Sequence, residues 1–226
     1  SASSASSASS AASAARGLAE LGIGIVLYDF VFFWIHLAMH RNRALFWLVH
    51  ARHHTHRWLS PGSTVVHSLV DGGLQVAVNM VVQQLSPWGV GAKLSASRLL
   101  HNVVVTFMLV EAHSEFDCAF SLHNLAPSVF GGSLRHRYHH ARGKGTKPVF
   151  FQQFFKYLDD FFGFTVSDAE CRRACFSHPR CPPSSRARQI EIVRSSSSSS
   201  SFSPSFSSHH HHLPHHHDKS GWGEKA

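Results

Sequence analysis

Three apolar stretches dominate the hydropathy pattern of the chain. Residues 21–39 are almost unbroken apolar side chains, interrupted by Asp29 and His36, which lie seven apart and so share one helical face. A stretch of that length predicts a helix able to cross a bilayer. The second stretch, residues 65–85, carries Asp71, Gln75, Asn79 and Gln83 at strict four-residue intervals on an otherwise Val/Leu/Met surface. Such a stripe predicts a helix whose polar edge meets protein or water rather than lipid. The third, residues 99–110, is too short to cross alone, and Pro87, Gly89 and Gly91 before it predict a helical hairpin with the second.

Outside these stretches the pattern vanishes. Residues 1–16 are a Ser/Ala run, and from residue 167 the chain turns Ser, Arg, Pro and His rich, with polyserine at 195–201. Neither end can bury enough apolar surface to offset the entropy of ordering it. The expected fold is therefore all-α: an integral membrane helical bundle over residues 17–166, after a low-complexity segment at 1–16 and before a disordered Ser/His-rich tail at 167–226. The aromatic cluster of Phe30, Phe32, Phe33 and Trp34 would be out of place on a soluble bundle.

The formal charge of +8 refines this picture. Arg41, Arg43, Arg52 and Arg57 follow the first stretch, and Arg135, Arg137, Arg142, Lys144 and Lys147 follow the third. That placement fits a cytoplasmic face against anionic headgroups. Nucleic acid is not the expected partner, since no helix-turn-helix, RNP or finger spacing is present. Of the four cysteines, Cys171, Cys175 and Cys181 stand with His178 in a compact run that matches no common zinc spacing, and reduced, unliganded thiols are expected.

The chemistry lies in the histidines, 13 of which fall between His36 and His140. HxxxH at His36 and His40, HxxHH at His50, His53 and His54, and HxxHH at His136, His139 and His140 place imidazoles three and four apart, on one side of a helix. Eight nitrogens exceed what one ion with four to six positions can use, so two metals are expected. The boxes sit at the ends of apolar segments, where a histidine-rich cytosolic di-metal cap is expected. His56 and His101 show no such spacing and are expected to be ordinary core or surface histidines. A metal transporter would need ligands in mid-membrane, and a metal buffer would need no membrane helices. The histidines of the tail, 209–212 and 215–217, lack fixed geometry.

Boxes of this form in this order resemble the fatty acid hydroxylase/sterol desaturase superfamily of membrane non-haem di-iron oxygenases. The resemblance runs from about Gly22 to Gly163 and includes Tyr28, Asp29 and Phe30 leading into Phe33, Trp34 and His36. The stretch from Glu111 through His113, Ser114 and Asp117 to Leu122, His123, Asn124, Pro127, Gly131 and Gly132 is close to the cholesterol 25-hydroxylase and C-4 methylsterol oxidase branch. Residues 154–163, with Asp159, resemble the closing aromatic segment, although Leu158 replaces the usual Trp and residues 143–148 replace the usual turn after the third box. The family's usual membrane hairpin would lie upstream of residue 21, where this sequence has only about 20 residues, and an N-terminally truncated chain is one expectation from this.

The resemblance implies two non-haem Fe ions, with Zn as a possible substitute, held by His36, His40, His50, His53, His54, His136, His139 and His140. It adds His113 as a ninth ligand, and His67, His123 and Asp71 as further candidates. It also implies a lipid substrate in the bilayer, a sterol or fatty acyl chain hydroxylated or desaturated with O2. Electrons would come from a separate donor such as cytochrome b5 or a reductase, since no fused cytochrome motif is present. The endoplasmic reticulum is the expected membrane in a eukaryote, and the acid-free Ser/Ala start leaves a plastid membrane open. The alternatives are a non-catalytic metal-binding relative and a carotenoid hydroxylase.

Overall fold

The computed structural model describes residues 2–55, 59–114, 117–141 and 148–176. Among them the chain is helical, with an isolated bridge between Phe130 and Phe155 and no strand. The first helix, α1 (Ala2–Arg41), is 40 residues long, about 60 Å at 1.5 Å per residue. It starts well upstream of where hydrophobicity places it. Alanine is the best helix former, and extending an existing helix avoids the cost of a new nucleus, so the Ser/Ala run continues the apolar rod. Its side chains from Ser9 to Ala15 are exposed.

Two helices pack against α1, namely α3 (Leu69–Gln84) and α4 (Ser95–Ala112). Before them come the three-residue α2 (Arg43–Leu45), capped by the Asn42 side-chain Oδ1 accepting from Ala44 N and Leu45 N, and the π-helical turn Phe46–His50. Ile25, Tyr28, Val78, Val82, Val105, Met108 and Phe154 fill the space between α1, α3 and α4.

The polar stripe of α3 faces protein, as expected. Asn79 donates to Asn102 Oδ1 at 3.0 Å and Gln83 donates to the same oxygen at 2.8 Å, while Gln75 reaches Asp71. Because the Asn79 amide is committed to Asn102, its Oδ1 is left to accept from His101 Nε2, 3.1 Å away. This joins α3 to α4 by side chains on surfaces that would otherwise face hydrocarbon. The turn between them is fastened to α1 by the buried Glu20, which accepts from Leu94 N, Ser86 Oγ and Arg16 Nε.

Among the described residues α1 is the helix long and apolar enough to cross a membrane. The shorter α3 and α4 turn Leu69, Met80, Leu99 and Phe107 outward, each more than half exposed, a surface suited to lipid.

The other elements form a cap: α5 (Leu122–Leu125), α6 (Gly132–Ala141), α7 (Tyr157–Phe162) and α8 (Asp168–Phe176). The helix α8 lies beyond the boundary expected at Val166. It is held because Cys171 buries among Leu134, Tyr138, Val149 and Phe150, and because Glu170 accepts from the Tyr138 hydroxyl at 2.7 Å. Of the Cys/His run, Cys171 serves this packing, and His178 and Cys181 lie outside the described residues.

Gly132 opens α6 at φ +57°, and a Cβ there would lie 3.1 Å from the His123 backbone nitrogen and 2.7 Å from its ring. Gly73, on the exposed side of α3, would meet nothing within 4 Å. Gly132→Ala should therefore destabilise the protein by about 1–3 kcal/mol. Gly73→Ala should be neutral or stabilise by roughly 0.5–1 kcal/mol. Thermal unfolding of the two variants in detergent measures the contrast, and equal effects would contradict the strained helix start.

Candidate metal centre

Nine histidines converge between α1, the Phe46–Thr55 turns, the end of α4 and α6, in two groups. His36, His40, His50, His54 and His139 form one, and His53, His113, His136 and His140 the other, with the ligand atoms of each group within 4.8 Å of one another. The boxes do not deliver all their imidazoles to one place. In each box the pair four residues apart serves one group: His36 with His40 and His50 with His54 in the first, His136 with His140 in the second. The nitrogens of these pairs lie 3.1–3.2 Å apart. In each HxxHH the remaining histidine crosses over, His53 to the second group and His139 to the first.

Box two is not a regular α-helix. His50 ends the π-turn and His53 begins a 3-10 turn, Pro61–Val65 forming another before α3. The wide π-turn is closed by Ala51 N donating to Phe46 O at 2.7 Å.

The proton positions follow from the partners. A carbonyl oxygen only accepts, so a ring nitrogen facing one carries the proton and leaves its Nε2 as a bare acceptor. His36 Nδ1 faces Phe151 O at 2.8 Å, His113 Nδ1 faces Leu109 O at 2.7 Å, His139 Nδ1 faces Val149 O at 2.7 Å and His53 Nδ1 faces Val66 O at 3.3 Å. His50 Nδ1 meets the buried Asp71 carboxylate at 2.9 Å. Yet His53 Nε2 and His113 Nε2 lie 3.2 Å apart with no proton to share. Two lone pairs aimed at each other repel, and a cation between them makes the contact favourable. The donor set thus fits a metal ion in each group.

Burial keeps six of the rings neutral. It disfavours the imidazolium, pushing His139 down to about 3 and His113 to about 4, and it holds His53, His54, His136 and His140 well below the usual histidine range. Neutral imidazole is the form that binds metal.

The other candidates stand outside both groups. Asp71 acts on His50 rather than among the ligand atoms, because the stripe of α3 brings its carboxylate behind the ring. His67 packs against Gly72, its Nδ1 turned to Ser68 O. His123 is buried beside Asp117, which accepts from its Nε2 at 3.0 Å, with Arg172 on the far carboxylate oxygen. His101 is committed to Asn79, and His56 lies outside the described residues.

The fatty acid hydroxylase family model matches residues 21–164, well over half of the chain. The chain belongs to the fatty acid hydroxylase family. Among its relatives are proteins named cholesterol 25-hydroxylase-like, one from Caenorhabditis elegans, 24% identical over 69% of this chain and 49% of its own length. Another, from Danio rerio, is 24% identical over 66% of this chain and 56% of its own. The chain spans about half the length of the curated relatives it matches. No solved structure gives a significant match. Both the fatty acid hydroxylase family and the names of these relatives agree with the superfamily and branch read from the boxes.

Sequence reasoning missed the groups that hold the rings from behind. They are the carbonyls of Val66, Leu109, Val149 and Phe151, which no side-chain identity can signal. The one visible hint was the Gln152-Gln153 pair set among phenylalanines.

His113→Ala should abolish metal binding in the second group and leave the first, while His101→Ala and His123→Ala retain both. Asp71→Ala should weaken binding in the first group by about 10–100-fold, the usual effect of losing a carboxylate behind a ligating histidine. Metal titration of the purified variants measures this, and full retention in His113→Ala would remove it from the ligand set.

Proposed function

We propose that this protein is a membrane-bound non-haem di-iron oxygenase that hydroxylates a lipid, a sterol or fatty acyl chain, with O2. The observation that carries the reading is the convergence of nine imidazoles in two adjoining groups, with the inward nitrogens of His53 and His113 facing each other with no proton to share. His36, His40, His50, His54 and His139 would hold one iron and His53, His113, His136 and His140 the other. Iron so bound supplies the reduction of O2 and the oxidation of an unactivated C–H bond. Overall, one oxygen atom enters the C–H bond as hydroxyl and the other leaves as water, which takes up two electrons and two protons. Both electrons come from a separate donor such as cytochrome b5 or a reductase.

The chain's own residues prepare the setting. All-imidazole ligation adds no negative charge to the metal, which favours an electrophilic centre. Phe32 and Phe151 pack at an angle against His36, and Phe46 against His40 and His54, excluding water from one side of the first group. The apolar length of α1 supports a membrane protein, and Arg41 and Arg43 at its end support placing the histidines on the cytosolic side. In a eukaryote that membrane would be the endoplasmic reticulum. Hydroxylation is favoured over desaturation by the names of the relatives.

Protein expressed with iron and purified in detergent should carry about two irons per chain. With a reductant, a sterol or acyl lipid and isotopically labelled O2, the product should gain one labelled oxygen atom. Metal near zero would sink the reading, and metal bound without labelled product from any lipid supplied would reduce the protein to a metal-binding relative.

A further inference from the structure

The segment from residue 148 to residue 155 has no regular structure, yet it is buried and runs beside the first histidine group. Two of its carbonyls orient ligands from different boxes: Phe151 O faces His36 Nδ1, and Val149 O faces His139 Nδ1. Between them Phe150 takes φ +61°, a conformation that a bulky side chain adopts only when its surroundings impose it. What imposes it must hold this strap by its backbone.

Asp29 does so. Its carboxylate is fully buried on α1, two helical turns before His36. Oδ1 accepts from the backbone nitrogens of Gln153 and Phe154 at 3.0 and 2.9 Å, and Oδ2 from Gln152 Nε2 at 2.7 Å and Phe155 N at 3.4 Å. Gln152 Oε1 in turn accepts from Leu158 N at 2.6 Å. Asp159 secures the other side, accepting from Phe151 N at 2.8 Å and Gln152 N at 2.9 Å. The second histidine group takes no hydrogen bond from the strap: His53 and His113 face Val66 O and Leu109 O.

We propose that Asp29 is a positioning residue that sets the first histidine group through the strap and leaves the second group independent of it. The proposal rests on reading the two groups as metal sites. Asp29 touches neither metal ligand nor lipid. It acts by fixing two carbonyls, which fix the tautomer and rotation of His36 and His139. An asparagine of the same shape cannot replace it, because either orientation of the amide turns an N–H2 toward N–H donors.

The test is zinc content of the whole protein in detergent, after loading with zinc and challenge with a chelator. Wild type should retain about two zinc ions per chain and Asp29→Asn about one, from a 10–100-fold weaker first site. Adding His53→Ala to Asp29→Asn should remove the remaining ion, whereas adding His40→Ala should not. Cobalt substitution gives a second readout: the visible bands of one of two ions should be lost, with those of the other unchanged. Two retained ions in Asp29→Asn would overturn the proposal. So would loss of both from a variant that still elutes as folded protein, since that marks a general structural role. Should Asp29→Asn fail to fold, Asp29→Ser, which removes the carboxylate without placing an N–H2 group against the strap, decides in the same way, one ion supporting the proposal and two or none overturning it. A wild type that binds no zinc and no cobalt would fail earlier, at the reading of the metal sites themselves.

Discussion

Everything in this structure answers to one requirement: imidazoles must be kept neutral, dry and pointing inward before any cation is there to attract them. Nine polar rings in an apolar cap are costly to bury unless each outer nitrogen finds an acceptor. Backbone carbonyls meet that need for four of them and Asp71 for a fifth. Val66, Val149 and Phe151 lie between helices, where backbone oxygens are outside the helical ladder, and the Leu109 oxygen in the last turn of α4 accepts from both the backbone nitrogen and the ring of His113. The irregular segments of the chain are therefore as much a part of the centre as the helices that carry the rings.

The membrane-facing half follows from the same economy of polar groups. Gln83, Asn79, Asn102 and His101 close on one another across α3 and α4, so that each is hydrogen-bonded within the hairpin. Glu20 does the equivalent for the turn, taking up the Leu94 amide at the start of α4. Placing these groups in mutual contact fixes the hairpin against α1, and with it the depth of His113 relative to His36 and His40.

Much of this was legible from the residue order. The three boxes, the polar stripe and the exclusion of His101 rest on spacings of three and four, which survive as faces of helices, whereas His113 was carried by the family resemblance. Two features were not legible. The division of each HxxHH between two groups depends on the rotation of the turn that carries it, and at Phe46–His50 that turn is a π-helix which no propensity announces. The strap is held through main-chain atoms, so its course depends on Asp29, more than a hundred residues away in sequence. The extension to α8 was hidden because its few apolar side chains sit in a polar stretch, and burial of Cys171 outweighs that composition.

The crossing-over of His53 and His139 has a consequence for how the two groups relate. Since neighbouring positions on one turn feed both, the offset between the groups is set by the angular step of the backbone, about 100° per residue in an α-helix such as α6. The chain thus gauges the distance between its two centres with the pitch of its helices. A single residue inserted between His136 and His139 would rotate the ligands of the two groups apart. The pair of centres is therefore one mechanical unit with a shared axle, which neither box two nor box three can leave without disturbing both.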